Sequence, residues 1–184
     1  MKEEFLNLLR SIQRDGIEEL IKFIESTDFF KAPASTRFHG NFEGGLLQHS
    51  IKVYEILKEK LINAPIAMNI SEDTIKIVAL LHDICKVNYY KVDYRNAKND
   101  LGVWEKVPYY TVDDTIPYGH GEKSVMMITE YMKLTVEEKY AIRWHMGLSE
   151  PKELYGTLSA AFSKYPLALM LFEADLEATY LFDI

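Results

Sequence analysis

Six side chains in this sequence carry the imidazole nitrogens and carboxylate oxygens that bind divalent transition metals. They are His49, His82, Asp83, His120, His145 and Asp175. The first of them lies between Leu46 and Val53 at helical spacing, so its ring points to the face that should be buried. A single histidine on such a face is more often a hydrogen-bonded core residue than a ligand. Whether His49 is a core residue or a metal ligand must therefore be judged from the other five residues.

Three more of these side chains turn toward the core. His82, His145 and Asp175 each follow an apolar residue by four positions, which places them on buried helical faces. An unpaired carboxylate in apolar surroundings is costly, and no Lys or Arg shares the helical face of Asp175. One cation shared by several helices explains all of these residues together. A mixed nitrogen and oxygen site with an open position suits catalysis better than a purely structural role.

The order of the residues resembles the HD superfamily of metal-dependent phosphohydrolases. The resemblance rests on "GGLLQHS", on the adjacent pair in "ALLHDICK" and on an inward-facing Asp in the closing helix, and it covers roughly residues 36–180. It implies that one metal is bound by His49, His82, Asp83 and Asp175. Nothing in the sequence resembles the GYP extension of the cyclic-dinucleotide phosphodiesterases of this superfamily.

A second metal is implied by two further histidines. Members of the family with two metals carry a histidine pair between the HD dipeptide and the last Asp, and His120 and His145 lie in that interval. Asp83 would then bridge the two ions. The alternative is that these histidines hydrogen-bond a substrate phosphate beside a single metal. We therefore expect one or two divalent transition metal ions as cofactor (Fe, Mn, Co, Ni or Zn).

The implied activity is hydrolysis of a phosphoester or phosphoanhydride in a small phosphorylated substrate, a nucleotide, by metal-activated hydroxide. Asp83 and Lys86 are the expected catalytic residues, since Lys86 matches the basic position of the family pattern HDxxK. A surface lysine is the alternative for Lys86. The competing functions are a non-catalytic, metal-containing nucleotide-binding sensor and a structural zinc protein with a closed four-ligand site.

Four residues are candidates for substrate binding. Arg37 and His39 lie in "STRFHGNFEGG", a loop that could reach over the metal site, although capping of the loop is an equal alternative. Lys123 lies three residues after His120, and Arg143 lies two residues before His145. These two are the weaker candidates.

Composition excludes several classes of protein. The net charge of −7 argues against a surface that binds duplex nucleic acid, which needs clustered Lys and Arg. No apolar run reaches the roughly 20 residues of a membrane span, and no secretory signal is visible. The single cysteine, Cys85, excludes an internal disulfide and is expected to be a small core residue. We therefore expect a cytoplasmic protein without membrane association, whose oligomeric state the sequence does not indicate.

These residues need a helical scaffold. Apolar periodicity predicts helices over residues 1–26 (with a bend or break at Gly16), 44–63, 72–87, 119–132, 136–146 and 166–182. Ser71 or Asp73 should open the third of these, Thr135 and Glu138 should form a capping box, and Pro166 fits a first helical turn.

The segment at 89–118 differs from the helical regions, because aromatic and β-branched residues surround an Asn/Lys/Asp/Gly centre. We predict an all-α fold with a β-hairpin or structured loop inserted there, and a loop at 147–156. The expected organisation is a single HD-type domain over 1–184, with an N-terminal helix and loop at 1–35 and the HD core at 36–180.

Overall fold

A computed structural model describes residues 1–64 and 68–182. Over these residues it contains eight α-helices, three short 3-10 helices and one two-stranded sheet. The α-helices are α1 (Lys2–Arg10), α2 (Ile17–Ser26), α3 (Gly45–Ile62), α4 (Glu72–Leu81), α5 (His120–Thr129), α6 (Val136–Trp144), α7 (Tyr155–Lys164) and α8 (Pro166–Leu181). The 3-10 helices are Ile84–Lys86, Gly147–Ser149 and Lys152–Leu154. The predicted predominance of helix is confirmed.

The segment at 1–26 forms two helices, and Gly16 explains the break. Its φ of 87° lies in the left-handed region that glycine adopts most easily. A Cβ at this position would come within 1.8 Å of the Tyr131 carbonyl oxygen. The chain therefore turns at Gly16 and starts α2 against the segment that follows α5.

The helix expected over 72–87 is shorter than predicted. Ser71 caps its start by accepting a hydrogen bond from the Thr74 amide, but the helix ends at Leu81. The His82 ring then hydrogen-bonds the Ala79 carbonyl, which satisfies one of the free acceptors at the helix end. His82 therefore lies at the end of α4, and Cys85 lies in the separate 3-10 helix after it.

The inserted segment contains an antiparallel hairpin of β1 (Tyr90–Lys98) and β2 (Trp104–Val112). Its register runs from Tyr90 opposite Val112 to Lys98 opposite Trp104. Most of its side chains are exposed, and an isolated hairpin is only marginally stable. At its base the Tyr90 hydroxyl donates a hydrogen bond to the Ala34 carbonyl over 3.1 Å, which ties the hairpin to the loop before α3.

The core is built where α3 packs on α4 and α8, and α6 packs on α8. Buried side chains of these helices join those of α1 and α2 in a continuous hydrophobic cluster. This packing brings the N-terminal part of α3 and the middle of α8 next to the ends of α4 and α6. Within residues 1–64 and 68–182, no helix combines the length and apolar character that a bilayer crossing requires.

The start of α6 gives a first test of the fold. The Thr135 hydroxyl accepts the Glu138 amide over 3.2 Å, and the Glu138 carboxylate accepts the Thr135 amide over 2.7 Å. We expect Thr135→Ala to lower the free energy of unfolding by about 1 kcal/mol, the usual loss for a helix N-cap. Urea denaturation followed by circular dichroism measures this change. Thr135→Ser, which keeps the hydroxyl, should retain most of the stability, and equal losses in both variants would contradict the capping role.

Candidate metal centre

Six side chains from five parts of the fold meet at one point. His49 comes from α3, His82 and Asp83 from the end of α4, His120 from the start of α5, His145 from the end of α6 and Asp175 from α8. All but His120 and Asp175 are almost completely buried. Their ligand atoms form groups of three in which every atom lies within 4.8 Å of the others: His49, His82 and Asp83; His82, His145 and Asp175; and Asp83 and His120 together with Cys85. The site is therefore assembled by packing of helices that are distant in sequence.

Two of the histidines are oriented in the same way. The Nδ1 atom of His82 lies 2.8 Å from the Ala79 carbonyl, and that of His145 lies 2.6 Å from the Ile142 carbonyl. A carbonyl oxygen only accepts, so each Nδ1 must donate its hydrogen. When the ring is neutral, Nε2 then carries the lone pair and faces the centre. Metal-binding histidines commonly donate such a hydrogen bond from the ring nitrogen that does not contact the metal.

One side of the centre is formed by His49, His82 and Asp175. The His49 Nε2 lies 3.0 Å from the Asp175 Oδ1 and 3.3 Å from the His82 Nε2. The Oδ2 atom of Asp83 completes this side, 3.4 Å from the His82 Nε2 and 3.9 Å from the His49 Nε2. Two imidazoles and two carboxylates thus place single donor atoms around a small volume.

The other side of the centre is formed by His120 and His145. The second oxygen of Asp83, Oδ1, lies 2.7 Å from the His120 Nε2 and 3.5 Å from the His145 Nε2. The two carboxylate oxygens of Asp83 therefore face different sets of histidines. A carboxylate placed in this way can join two cation positions.

The residues fit a divalent transition metal. Among the residues that the structure describes, the buried Nε2 of His145 has no hydrogen-bond partner. Leaving a buried acceptor unsatisfied is destabilising, and a cation would use its lone pair. Imidazole nitrogens and carboxylate oxygens are the donors that such ions prefer.

The carboxylates are ionised despite their burial. Burial alone would raise the pKa of Asp83, but the charges of Lys86 and His82 and the hydrogen bond from His120 hold it well below its usual range. The pKa of Asp175 is lowered in the same way, since a hydrogen bond from His49 outweighs its desolvation. The centre therefore offers two negative charges to a cation at neutral pH.

Lys86 adds one positive charge beside the centre. Its Nζ lies 2.6 Å from the Asp83 Oδ2, one turn of the 3-10 helix away. Burial would lower the pKa of Lys86, but the charge of Asp83 outweighs this and raises it above the usual value. The side chain also lines a cavity of about 680 Å³. Lys86 is therefore a permanent cation next to both the candidate ligands and open space.

The same cavity exposes part of the centre. Asp83, His120, His145 and Asp175 line it, and so does His39 from the loop before α3. The His39 ring lies 5.0 Å from the His49 ring. Burial, with the nearby positive character of His49 and Lys86, lowers the pKa of His39 to about 4, so it is neutral at pH 7.

The structure places the other predicted substrate contacts differently. Arg37 lines a neighbouring cavity rather than the one above the centre. Lys123 is buried and donates to Asp114 over 2.7 Å. Arg143 binds the carboxylates of Glu122 and Glu150, each over 2.5 Å. The charges of Lys123 and Arg143 are thus paired away from the cavity, and neither residue lines it.

Cys85 was expected only as a core residue, and the structure gives it a further contact. It is buried as expected, but its Sγ lies 3.4 Å from the His120 Nδ1, and it forms a group with Asp83 and His120 that could hold a metal. Burial raises the pKa of the Cys85 thiol to about 12. The only sequence signal for this contact is its position two residues after Asp83.

Comparison with known proteins adds one match. A family model described as HD domain matches residues 46–178, well over half of the chain. The matched stretch contains all six residues of the centre. Searches among curated proteins and among solved structures found no match.

Proposed function

This chain belongs to the HD domain family of the metal-dependent phosphohydrolase superfamily, and we propose that it hydrolyses a phosphoester or phosphoanhydride of a small phosphorylated substrate. The observation that carries this proposal is the largely buried group of four imidazoles and two carboxylates, which opens into a cavity beside the ammonium of Lys86. A closed structural site would need neither the cavity nor a neighbouring cation.

We assign the donors to two cation positions. His49, His82, Asp83 and Asp175 would hold the first cation, and His120 and His145 with Asp83 would hold the second. Divalent cations held in this way lower the pKa of bound water and draw charge from phosphoryl oxygens. The protein supplies the fixed orientation of the rings, because His82 and His145 are held by backbone carbonyls.

The side chains that line the cavity would contact different parts of a substrate. Lys86 offers a charge that favours a phosphoryl group, and its stabilisation grows as negative charge builds on the phosphoryl oxygens during the reaction. His39 is neutral at pH 7, so its ring can hydrogen-bond the substrate without adding charge. Tyr89, Tyr90 and Phe38 also line the cavity and offer aromatic surface on which a base can stack. These side chains support a nucleotide as the substrate.

Lys86 gives a test of this assignment. We expect Lys86→Ala to lower kcat on a phosphate substrate by about ten- to a thousandfold, the typical loss of one electrostatic stabiliser. Metal content should not change, since an ammonium is not a ligand. Steady-state kinetics and metal analysis measure both quantities.

Lys86→Arg is the matched control for this test. It keeps the charge but changes its reach and shape, so it should recover only part of the rate. Unchanged kinetics in Lys86→Ala would show that Lys86 has no part in the reaction.

A screen of phosphate release tests the proposed function itself. The purified protein is supplied with Mn²⁺, Fe²⁺, Co²⁺ or Ni²⁺ and with nucleotides, and released phosphate or nucleotide is measured. Hydrolysis that disappears with a chelator is the expected result. Tight nucleotide binding without hydrolysis under any of the four metals would instead identify a metal-containing nucleotide sensor.

A further inference from the structure

A second cavity, of about 710 Å³, lies between the hairpin and the loop before α3. Arg37 and Asn41 line it from the loop, and Arg95, Tyr109 and Tyr110 line it from the hairpin. It lies next to the cavity above the metal centre, because Thr36 lines both. We call it the hairpin cavity.

The hairpin cavity is cationic in an acidic protein. None of its lining residues is an Asp or a Glu, although the chain carries a net charge of −7. Over residues 1–64 and 68–182, neither Arg37 nor Arg95 has a carboxylate within the 4.0 Å of an ion pair. Most other basic side chains near the metal centre are paired, as Lys86, Lys123 and Arg143 are. Two free guanidinium groups in one cavity therefore attract an anion.

The side chains of the hairpin cavity are arranged for a phosphate with an aromatic neighbour. The Arg95 guanidinium lies 5.5 Å from the centre of the Tyr109 ring, which holds the arginine by a cation–π contact. Arginine presents a planar fork of donors that matches phosphate oxygens. The Asn41 amide adds donors, and the tyrosine rings offer stacking surface.

The two cavities lie side by side at the base of the hairpin. Tyr90 lines the cavity above the centre, Tyr110 lines the hairpin cavity, and their ring centroids are 6.4 Å apart. One extended ligand can therefore place a phosphate at the metal centre and continue past Thr36 between the loop and the hairpin. A ligand with a single phosphate would leave both arginines without a partner.

We infer that Arg37 and Arg95 bind a second phosphate group of the substrate, which selects nucleotides that carry a phosphate beyond the one attacked. This inference rests on the proposed function, because the first phosphate is the one at the metal centre. The second phosphate can belong to a phosphodiester-linked nucleotide or to the polyphosphate chain of a dinucleoside polyphosphate. Both ligands present negatively charged, non-bridging phosphate oxygens to the two arginines.

Kinetics on three substrates test the inference. The substrates are a nucleoside monophosphate, a 5′-phosphorylated dinucleotide and a dinucleoside tetraphosphate. For Arg37→Ala/Arg95→Ala, we expect kcat/KM on at least one of the longer substrates to fall about ten- to a hundredfold, mainly through KM, because two charge-assisted hydrogen-bonding groups are lost. The value for the monophosphate should stay within about twofold. The longer substrate that shows the loss identifies the source of the second phosphate.

Two control variants separate this effect from general charge. Arg10→Ala/Lys22→Ala removes the same charge from exposed positions on α1 and α2 and should leave all three substrates unchanged. Arg37→Lys/Arg95→Lys keeps the charge without the fork and should recover only part of the loss. A uniform loss on all three substrates, or no loss on any, would overturn the inference.

A binding measurement keeps the inference separate from catalysis. Calorimetric titration of the 5′-phosphorylated dinucleotide and of the dinucleoside tetraphosphate, in chelator and without turnover, should give a Kd for one of them that the double alanine variant weakens tenfold or more. If the wild type hydrolyses nothing but this difference persists, the hydrolase proposal fails and the phosphate site stands. Equal Kd values in both proteins for both ligands would overturn the phosphate site.

Discussion

Asp83→Ala is expected to abolish hydrolysis, with a loss of at least about a thousandfold, and to remove bound metal. Its two oxygens face different histidine pairs, 2.7 Å from the His120 Nε2 on one side and 3.4 Å from the His82 Nε2 on the other. Among the described residues, Asp83 is the carboxylate that lies within 4.0 Å of all four histidines of the centre. The loss should match or exceed that of other single catalytic groups, because both proposed cation positions would depend on this residue.

The measurement for Asp83→Ala combines kinetics, metal analysis and far-ultraviolet circular dichroism. Asp83 lies between α4 and the 3-10 helix, so the helical spectrum should remain largely intact. Asp83→Asn is the control for shape, since it keeps the size of the side chain and removes the charge. It should lose activity as well, whereas activity like the wild type in either variant would contradict the assigned role.

His145→Ala is expected to lower the metal content from close to two ions per chain toward one and to reduce the rate at least about a hundredfold. Loss of a hydrogen bond to a metal ligand typically costs 10- to 100-fold, so loss of the ligand itself should cost no less. The His145 Nε2 faces Asp83 Oδ1 over 3.5 Å, and we assigned it to the second proposed cation position.

His145→Gln is the matched control for His145→Ala, because it fills more of the buried space while it removes the imidazole. Both variants should lose the same ion. A wild-type protein that binds a single ion at saturation would show that His120 and His145 contact the substrate phosphate instead of a second metal. Two ions retained in His145→Ala would contradict the assignment of this residue.

Much of the helical part of the site could be predicted from the sequence. Apolar spacing of three and four residues identifies the buried faces of α3 and α8, and His49 and Asp175 interrupt those faces with polar groups. Such an interruption is informative because it would be destabilising without a partner. The capping box of Thr135 was also predicted correctly, from the three-residue spacing between Thr135 and Glu138.

Helix ends and weakly patterned segments could not be predicted in this way. The helix through His82 stops at Leu81, and that end depends on a ring-to-carbonyl hydrogen bond rather than on residue periodicity. The helix α7 was not predicted, since only Leu158 and Ala161 of its residues are buried and its apolar pattern is weak. Local sequence carries little of this information because tertiary packing decides it.

Substrate contacts were the least predictable part of the site. Nearness in sequence to His120 and His145 suggested Lys123 and Arg143, yet their partners Asp114 and Glu150 hold them elsewhere. Residues two apart on a helix point in directions about 200° apart, so Arg143 cannot share the face of His145. By contrast, Arg95 is not adjacent in sequence to any candidate metal ligand. It lines the hairpin cavity because of where the pairing of β1 and β2 places it.

Quantitative metal analysis of the purified wild-type protein tests the central claim most directly. The protein is dialysed to equilibrium against Mn²⁺, Fe²⁺, Co²⁺, Ni²⁺ or Zn²⁺ and its metal content is measured by elemental analysis beside Asp83→Ala. We expect close to two transition metal ions per chain in the wild type, and almost none in the variant. A wild-type protein that retains no ion under any of these metals would contradict the account.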